Sequence, residues 1–314
     1  MIVSERPARV GVIVRTLNRP WFLQRALQDI IAQEFQDWTV HIVNDGGEAG
    51  PVDAAVADLP IGLQARFEVT HNAVSRGRSA AANQGVAGVS TPFIVLHDDD
   101  DLWHPEFLAR TTDWLDSHPD HIGVVARTEI VYEASEAGAA FAEVERVPFW
   151  AAMTAVSFSD LLEINRFVPI AYLYRRVLHE DVGMYREDIH AAEDWEFNLR
   201  TSVRHRIGYL PDIALAYWMQ RIGVDGDLGN SMFALRSEHE YFDNYIRDEA
   251  LREFARDNGP GLVLHLDRLV RQVLPELVRD AVRDVVREEI IREFDRRPSE
   301  LQRIVRRLRP GRRR

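Results

Sequence analysis

The stretch VGVIVRTLNRPWFLQRALQDIIAQEFQDWTVHIVNDGG, residues 10–47, decides the fold class. Its apolar run at 10–14 reads as a strand, the amphipathic segment 21–33 as a helix, and the second apolar run at 39–43 as another strand. Short apolar runs alternating with amphipathic stretches are the pattern of β-α-β units, which feed a largely parallel sheet. Further on, 53–59 predicts a short helix, 67–70 a strand, 78–86 an alanine-rich helix, 93–96 a fourth strand and 105–117 the next helix. A strand at 122–131 follows, and 133–146, which mixes small and acidic residues, reads as an exposed excursion. Order returns with a helix from Ser159, strands at 171–174, 207–210 and 214–218, and the segment 188–203. The glycine-rich stretch 223–230 reads as a candidate lid or as an ordinary flexible connection.

The run FIVLHDDDDLWHP, residues 93–105, carries the chemistry. Four carboxylates, Asp98 to Asp101, follow a buried strand with no basic residue between them. Adjacent negative charges repel and are costly to desolvate, so a bound divalent cation is the simplest reason to hold them at a strand end. The same run also reads as a solvated acidic loop with Asp101 capping the next helix. Strand spacing puts Thr16, Asp45 and the aspartates at the carboxyl ends of neighbouring strands, where open α/β sheets bind ligands.

Composition narrows the chemistry. The 314 residues contain no cysteine, which excludes thiolate metal sites and thiol nucleophiles. Every basic residue other than histidine is arginine, which excludes Schiff-base lysines and a phosphate-loop lysine. A formal charge of -12 argues against nucleic-acid binding by the body of the chain, although the last 20 residues are strongly basic. No signal-peptide-like run opens the sequence and nowhere do about 18 uncharged apolar residues run together, so a cytoplasmic protein is expected.

Residues 10–47 resemble the opening of the family 2 inverting glycosyltransferases: an apolar strand, a Thr-Tyr-Asn-Arg-Pro turn, a helix ending in a Gln-aromatic pair, and a strand ending in Asp-Asp-Gly. DDDDLWHP is similar to that family's Asp-X-Asp segment, and AAEDWEFNLR, residues 191–200, to its Glu-Asp catalytic segment. The resemblance covers roughly residues 9 to 220. It implies a GT-A fold: α/β, with a Rossmann-like, mostly parallel sheet flanked by helices, here followed by a helical C-terminal extension. It also implies inverting transfer of a sugar from a nucleotide diphosphate donor, UDP-sugar first and dTDP-sugar next. The expected acceptor is a hydroxyl of a glycan or lipid-linked glycan, in cell-surface polysaccharide synthesis.

Residue by residue, the resemblance places Arg15, Thr16 and Asn18 against the base and ribose, and Asp45 as acceptor from the imide N–H of a uracil or thymine ring. Arg78, flanked by Gly77, is the basic residue near the nucleotide; Arg76 is the second choice. Asp100 is the direct ligand of Mn2+ or Mg2+, with Asp98 and Asp99 nearer the ribose or the metal's water shell; Asp98 and His190 complete the metal set. Asp194 is either a helix N-cap or the general base that takes the acceptor hydroxyl's proton. The chain departs from the pattern at Arg15 (usually proline), Leu17 (usually tyrosine) and Asn44 (usually aspartate). Trp150, Trp218 and Tyr172 read either as sugar-stacking rings or as core. Two other readings are a non-catalytic subunit of the same fold that binds sugar nucleotide or glycan, and a nucleotidyltransferase. The second needs a glycine-rich phosphate loop, which VIVRTLNRP lacks.

A break at 257–261 divides the expected catalytic domain, 1–257, from a helical extension, 258–314. Leu266, Leu269, Val270, Val273, Leu277, Ala281 and Val285 form an apolar stripe that suits packing on the catalytic domain, homodimer formation or a membrane surface, with a kink at Pro275. The tail RRPSELQRIVRRLRPGRRR sets arginines beside an apolar face, suited to anionic lipid headgroups and so to a peripheral position at the inner face of the plasma membrane.

Overall fold

Strand β1 (Val10–Thr16), buried at all seven positions, is the axis of a seven-stranded sheet. On one side it pairs in parallel with β2 (Trp38–Asp45), which pairs with β3 (Phe67–Asn72). On the other it pairs in parallel with β4 (Phe93–Asp98). Strand order therefore reverses at β1, and the crevice beyond the carboxyl ends of β1 and β4 is the place where such sheets bind ligands. The computed structural model describes residues 8–134, 141–224 and 236–296.

Helix α1 (Pro20–Ile31) begins with Pro20, whose ring presets the backbone for a first turn, and buries Phe22, Leu23, Ala26, Leu27 and Ile30 at helical spacing. Helices α2 (Ala49–Ala57) and α3 (Ile61–Gln64) lead into β3, and α4 (Arg78–Gly88) returns the chain to β4. The α2 helix starts earlier than 53–59 predicts. The two-residue strand β5 (Leu102–Trp103) precedes α5 (Phe107–Ser117). Residues 122–131, expected as one strand, form two: β6 (His121–Ala126) in the large sheet and β7 (Thr128–Ala134) in a second sheet of four strands. Arg127 is the joint, donating its N–H to the Leu210 carbonyl at 2.9 Å and accepting from Leu215 N at 2.9 Å. The joint is hard to see in the sequence, because no glycine or proline stands at 126–128 to mark it.

Part of the expected excursion is strand β8 (Ala142–Pro148), antiparallel to β7. After α6 (Phe158–Glu163), strand β9 (Tyr172–Arg175) runs antiparallel between β4 and β6. Then come α7 (Leu178–Val182), α8 (Glu193–Arg204) and β10 (Arg206–Leu210). Strand β11 (Ala216–Arg221) lies parallel to β7 and antiparallel to β5, which brings the second sheet beside the acidic run.

The chain forms two compact units, Met1–Ile246 and Arg247–Arg314, and helix Arg236–Asn258 runs through the division. The expected lid at 223–230 lies outside the described residues from position 225 on, and the basic tail lies outside them from position 297 on. In the second unit the chain turns π-helical at Leu269–Val273, just before Pro275, which lacks the N–H that an α-helix would offer the Arg271 carbonyl. Leu266, Leu269, Val270, Val273, Leu277 and Val285 are all exposed. No helix among the described residues is long and apolar enough to cross a membrane.

Candidate active site

A cavity of about 800 Å³ opens at the switch point. Arg15 and Asp98 from the ends of β1 and β4, Arg78 from α4, Asn165, and Glu193 and Asp194 from α8 line one part. Phe149, Trp150 and Trp218 from the second sheet's side, with His239, Glu240, Asp243 and Asn244 from helix Arg236–Asn258, line the rest. Arg15 and Asp98 are register partners, so their side chains leave the same face, and Arg15 Nε donates to Asp98 Oδ1 at 3.0 Å. The same guanidinium lies 3.9 Å from Glu193, and Arg78 Nε lies 3.3 Å from that carboxylate. Two arginines and two carboxylates thus tie β1, β4, α4 and α8 together around the opening.

The remaining aspartates of the run are also engaged. Asp99, fully buried, accepts from the Thr16 hydroxyl at 2.7 Å and from Arg19 Nε at 3.2 Å. Asp100 accepts from Arg19 at 3.1 Å and from Arg221, and Asp101 accepts from the Met219 N–H at 2.9 Å. Burial alone would raise the Asp100 carboxyl, but Arg19 and Arg221 outweigh it and hold that group below the usual range. Burial beside Asp100 and Asp98 pushes Asp101 well above that range. The repulsion that suggested a cation is thus relieved by Arg15, Arg19 and Arg221 and by the raised Asp101. The family's divalent cation does not fit this arrangement as it stands: Asp98 and Asp100 are held by arginines, and among the described residues no three His, Asp or Glu side chains gather to hold a metal. His190 is exposed, with its ring edge-on to Phe242 at 5.7 Å and its carbonyl accepting from Arg78 at 3.0 Å.

Asp45 ends β2 with both oxygens occupied, accepting from Asn72 at 2.9 Å, Ser75 Oγ at 2.7 Å, Arg76 N at 2.9 Å and Gly77 N at 2.9 Å. Gly46, at φ 92°, permits this wrapping, since a Cβ there would lie 2.3 Å from Ser75 N. Burial works to raise the Asp45 carboxyl, and the N–H and O–H donors more than reverse it, leaving it lowered. Asn18, left-handed at φ 54°, caps the start of α2 by accepting from Glu48 N at 3.1 Å. It lines a separate, smaller pocket with Arg19 and Pro51. Of the expected nucleotide and metal residues, Arg15, Arg78 and Asp98 therefore meet in the large cavity. Thr16 and Asp99 stand behind them, and Asn18, Asp45 and His190 do not line that cavity, although the His190 carbonyl accepts from Arg78.

Asp194 is the second residue of α8; the N-cap position falls on Ala192, left-handed at φ 63°. Capping is thus not its place in the helix. Asn165 Nδ2 donates to Asp194 Oδ2 at 2.7 Å. Burial first, then Glu193, pushes the Asp194 carboxyl up to about 6, against the Trp195 N–H, Arg78 and Asn165. A carboxylate so placed is a competent proton acceptor near neutral pH. Trp150 and Trp218 line the cavity, whereas Tyr172 is core, 3% exposed. Arg19, Arg221 and Asn165 have site roles that sequence reasoning missed. Arg19 stands in the quoted turn, but nothing local pairs it with aspartates eighty residues away, and the other two lie in no motif.

Residues 11–182 match the sequence profile of Glycosyl transferase family 2. The chain is 29% identical over 281 residues to the uncharacterized glycosyltransferase YwdF of Bacillus subtilis (strain 168), covering 87% of this chain and 96% of that one. A PGL/p-HBAD biosynthesis glycosyltransferase of Mycobacterium bovis is 26% identical over 191 residues, covering 60% of this chain and 68% of that one. Among solved structures, S. aureus TarS in complex with UDP superposes with a TM-score of 0.54 at 19% identity, over 81% of this chain and 75% of that one. The mannosyltransferase PcManGT of Pyrobaculum calidifontis in complex with GDP-Man and Mn2+ gives 0.51 at 19% identity, over 71% and 59%. These likenesses establish the GT-A fold.

Proposed function

Given that the chain belongs to glycosyl transferase family 2, we propose that it transfers a sugar with inversion from a UDP-sugar to a hydroxyl of a glycan or lipid-linked glycan, in the synthesis of a cell-surface polysaccharide. The observation that carries the reading is Asp194, a carboxylate with a raised pKa, in the same cavity as Arg15 and Arg78 at the switch point of the sheet. In this reading the acceptor oxygen attacks the anomeric carbon from the face opposite the diphosphate. Its proton passes to the Asp194 carboxylate, the bond between the anomeric carbon and the phosphate oxygen breaks, and UDP leaves with the electron pair. Arg15 and Arg78, now shared with Asp98 and Glu193, supply positive charge where the leaving diphosphate becomes more negative. Trp150 and Trp218 offer flat apolar faces to the acceptor. The choice of UDP over dTDP follows the likeness to TarS. Arg19 and Arg221 occupy Asp100, so that carboxylate is not offered to a metal.

The test is Asp194→Asn in a single-turnover assay across a panel of UDP-sugars. Turnover should fall by a factor on the order of 100 or more while UDP affinity stays within about twofold. A variant as fast as the parent overturns the base assignment. A non-catalytic subunit of the same fold would bind UDP and turn over nothing in either form.

A further inference from the structure

We infer that Asn165 is a positioning residue for Asp194 and is itself aligned by Asn198, the three side chains forming one hydrogen-bonded chain at the cavity wall. The inference rests on the reading of Asp194 as the base. Asp194 and Asn198 are four residues apart on α8 and so share a face of the helix. Asn165, in the loop after α6, spans that turn: its Nδ2 donates to Asp194 Oδ2 at 2.7 Å, and its Oδ1 accepts from Asn198 Nδ2 at 3.1 Å. Helix α6, which leads into that loop, is tied to α8 by a second bond, Trp195 Nε1 donating to the Leu161 carbonyl at 2.7 Å.

The order of donors matters chemically. An asparagine amide has one end that donates and one that accepts. Because Asn198, 3% exposed, donates to the Asn165 carbonyl, the Asn165 NH2 is the end left to face Asp194. Reversal would set a carbonyl oxygen against the carboxylate. Asn165 therefore donates to Oδ2 and stabilises the ionised form. The other charged or titratable groups facing Asp194 are Glu193 on the same helix, Arg78 from α4 and Tyr185 from the loop before α8. Of these, Glu193 and Arg78 act on the carboxylate through charge.

The experiment follows the Asp194 carboxyl directly in the full-length chain. The protein is labelled with 13C at aspartate Cγ and titrated by NMR, with the Asp194 signal assigned by its loss in Asp194→Asn. Removing a donor to the ionised form should raise the midpoint: by about 0.5 pH unit or more in Asn165→Ala, a threefold or greater gain in proton affinity, and by less, in the same direction, in Asn198→Ala. UDP affinity by calorimetry should stay within about twofold in both, with unchanged far-ultraviolet circular dichroism. Midpoints within about 0.2 unit of the parent in both variants overturn the chain. The two ideas fail separately: full turnover in Asp194→Asn removes the base reading whatever the midpoints do. Unshifted midpoints with turnover lost in Asp194→Asn remove only the positioning role.

Discussion

Arg15 and Asp98 face each other as register partners across β1 and β4, and the guanidinium Nε donates to the carboxylate at 3.0 Å. Arg15 is buried and also lies 3.9 Å from Glu193, so it carries the positive charge that two carboxylates share. Replacing it with methionine keeps the stem and removes the charge, leaving Asp98 and Glu193 to repel. We expect a loss of about 2–3 kcal/mol in urea unfolding and at least tenfold weaker UDP binding, since the cavity loses one of its two lining arginines. UDP affinity equal to the parent's would take Arg15 out of the donor site.

Asp100 holds two arginines, one of them, Arg221, 4% exposed. The acidic run therefore has a structural part, as the counter-charge of buried arginines. Asp100→Ala should destabilise by about 3 kcal/mol, because it takes the carboxylate from a buried guanidinium. For the same reason a cation offered without nucleotide competes with Arg19 and Arg221. Titration with Mn2+ alone, followed by the free-ion electron paramagnetic resonance signal, should show binding no tighter than roughly 10⁻³ M, the weak end for oxygen-ligand sites. Tight stoichiometric uptake would mean that the carboxylates trade their arginine partners for metal readily.

How much of this was legible beforehand depended on the range of each interaction. The strand-helix-strand pattern of residues 10–47 places β1, α1 and β2 because each buries one periodic face. The approach of β11 to the acidic run is not local, so neither Arg221 nor the Met219 N–H was foreseeable as a partner of Asp100 or Asp101. The same holds for Asn165, a loop residue whose partner stands twenty-nine positions away on α8. The sequence places Asp194 at a helix start, but a left-handed alanine at the N-cap, which no propensity favours, sets it two positions inside the helix and out of the capping place.

Asp45 organises the loop at 72–77 through backbone and side-chain donors, and its carboxyl is lowered by them. A lowered carboxyl contributes stability above its unfolded value, about 3.9, and loses it as pH falls through the folded one. Asp45→Asn offers an NH2 to N–H donors. It should lower stability by about 1–3 kcal/mol at pH 7, and the gap should narrow by pH 3. Urea denaturation at the two pH values measures it; a gap independent of pH would mean that the ionised form has no special part in the loop.

Residues 296–314 carry the basic tail. If it seats the chain on anionic lipid, truncation at residue 296 should weaken sedimentation with phosphatidylserine vesicles and remove its salt dependence, leaving UDP affinity unchanged. Equal sedimentation of both forms would leave the membrane position without support.

The raised Asp194 carboxyl links function to stability with opposite signs. Its folded value, about 6, lies above the unfolded value near 3.9, so the folded chain binds the extra proton between them. Stability from this group is present below about pH 4 and lost as pH rises through 6, while the ionised carboxylate that the proposed reaction uses appears over the same interval. The rate should therefore fall about tenfold per pH unit below 6, as the parent grows more stable. Asp194→Asn removes both trends. It should be slow at every pH, and at pH 8 more stable than the parent by on the order of 1 kcal/mol, because no buried charge has to be carried. Thermal or urea unfolding of parent and variant at pH 5 and pH 8 decides it. If the variant is the less stable at pH 8, the Asp194 carboxylate stabilises the fold when ionised, and its raised value is not the strain that a buried base requires.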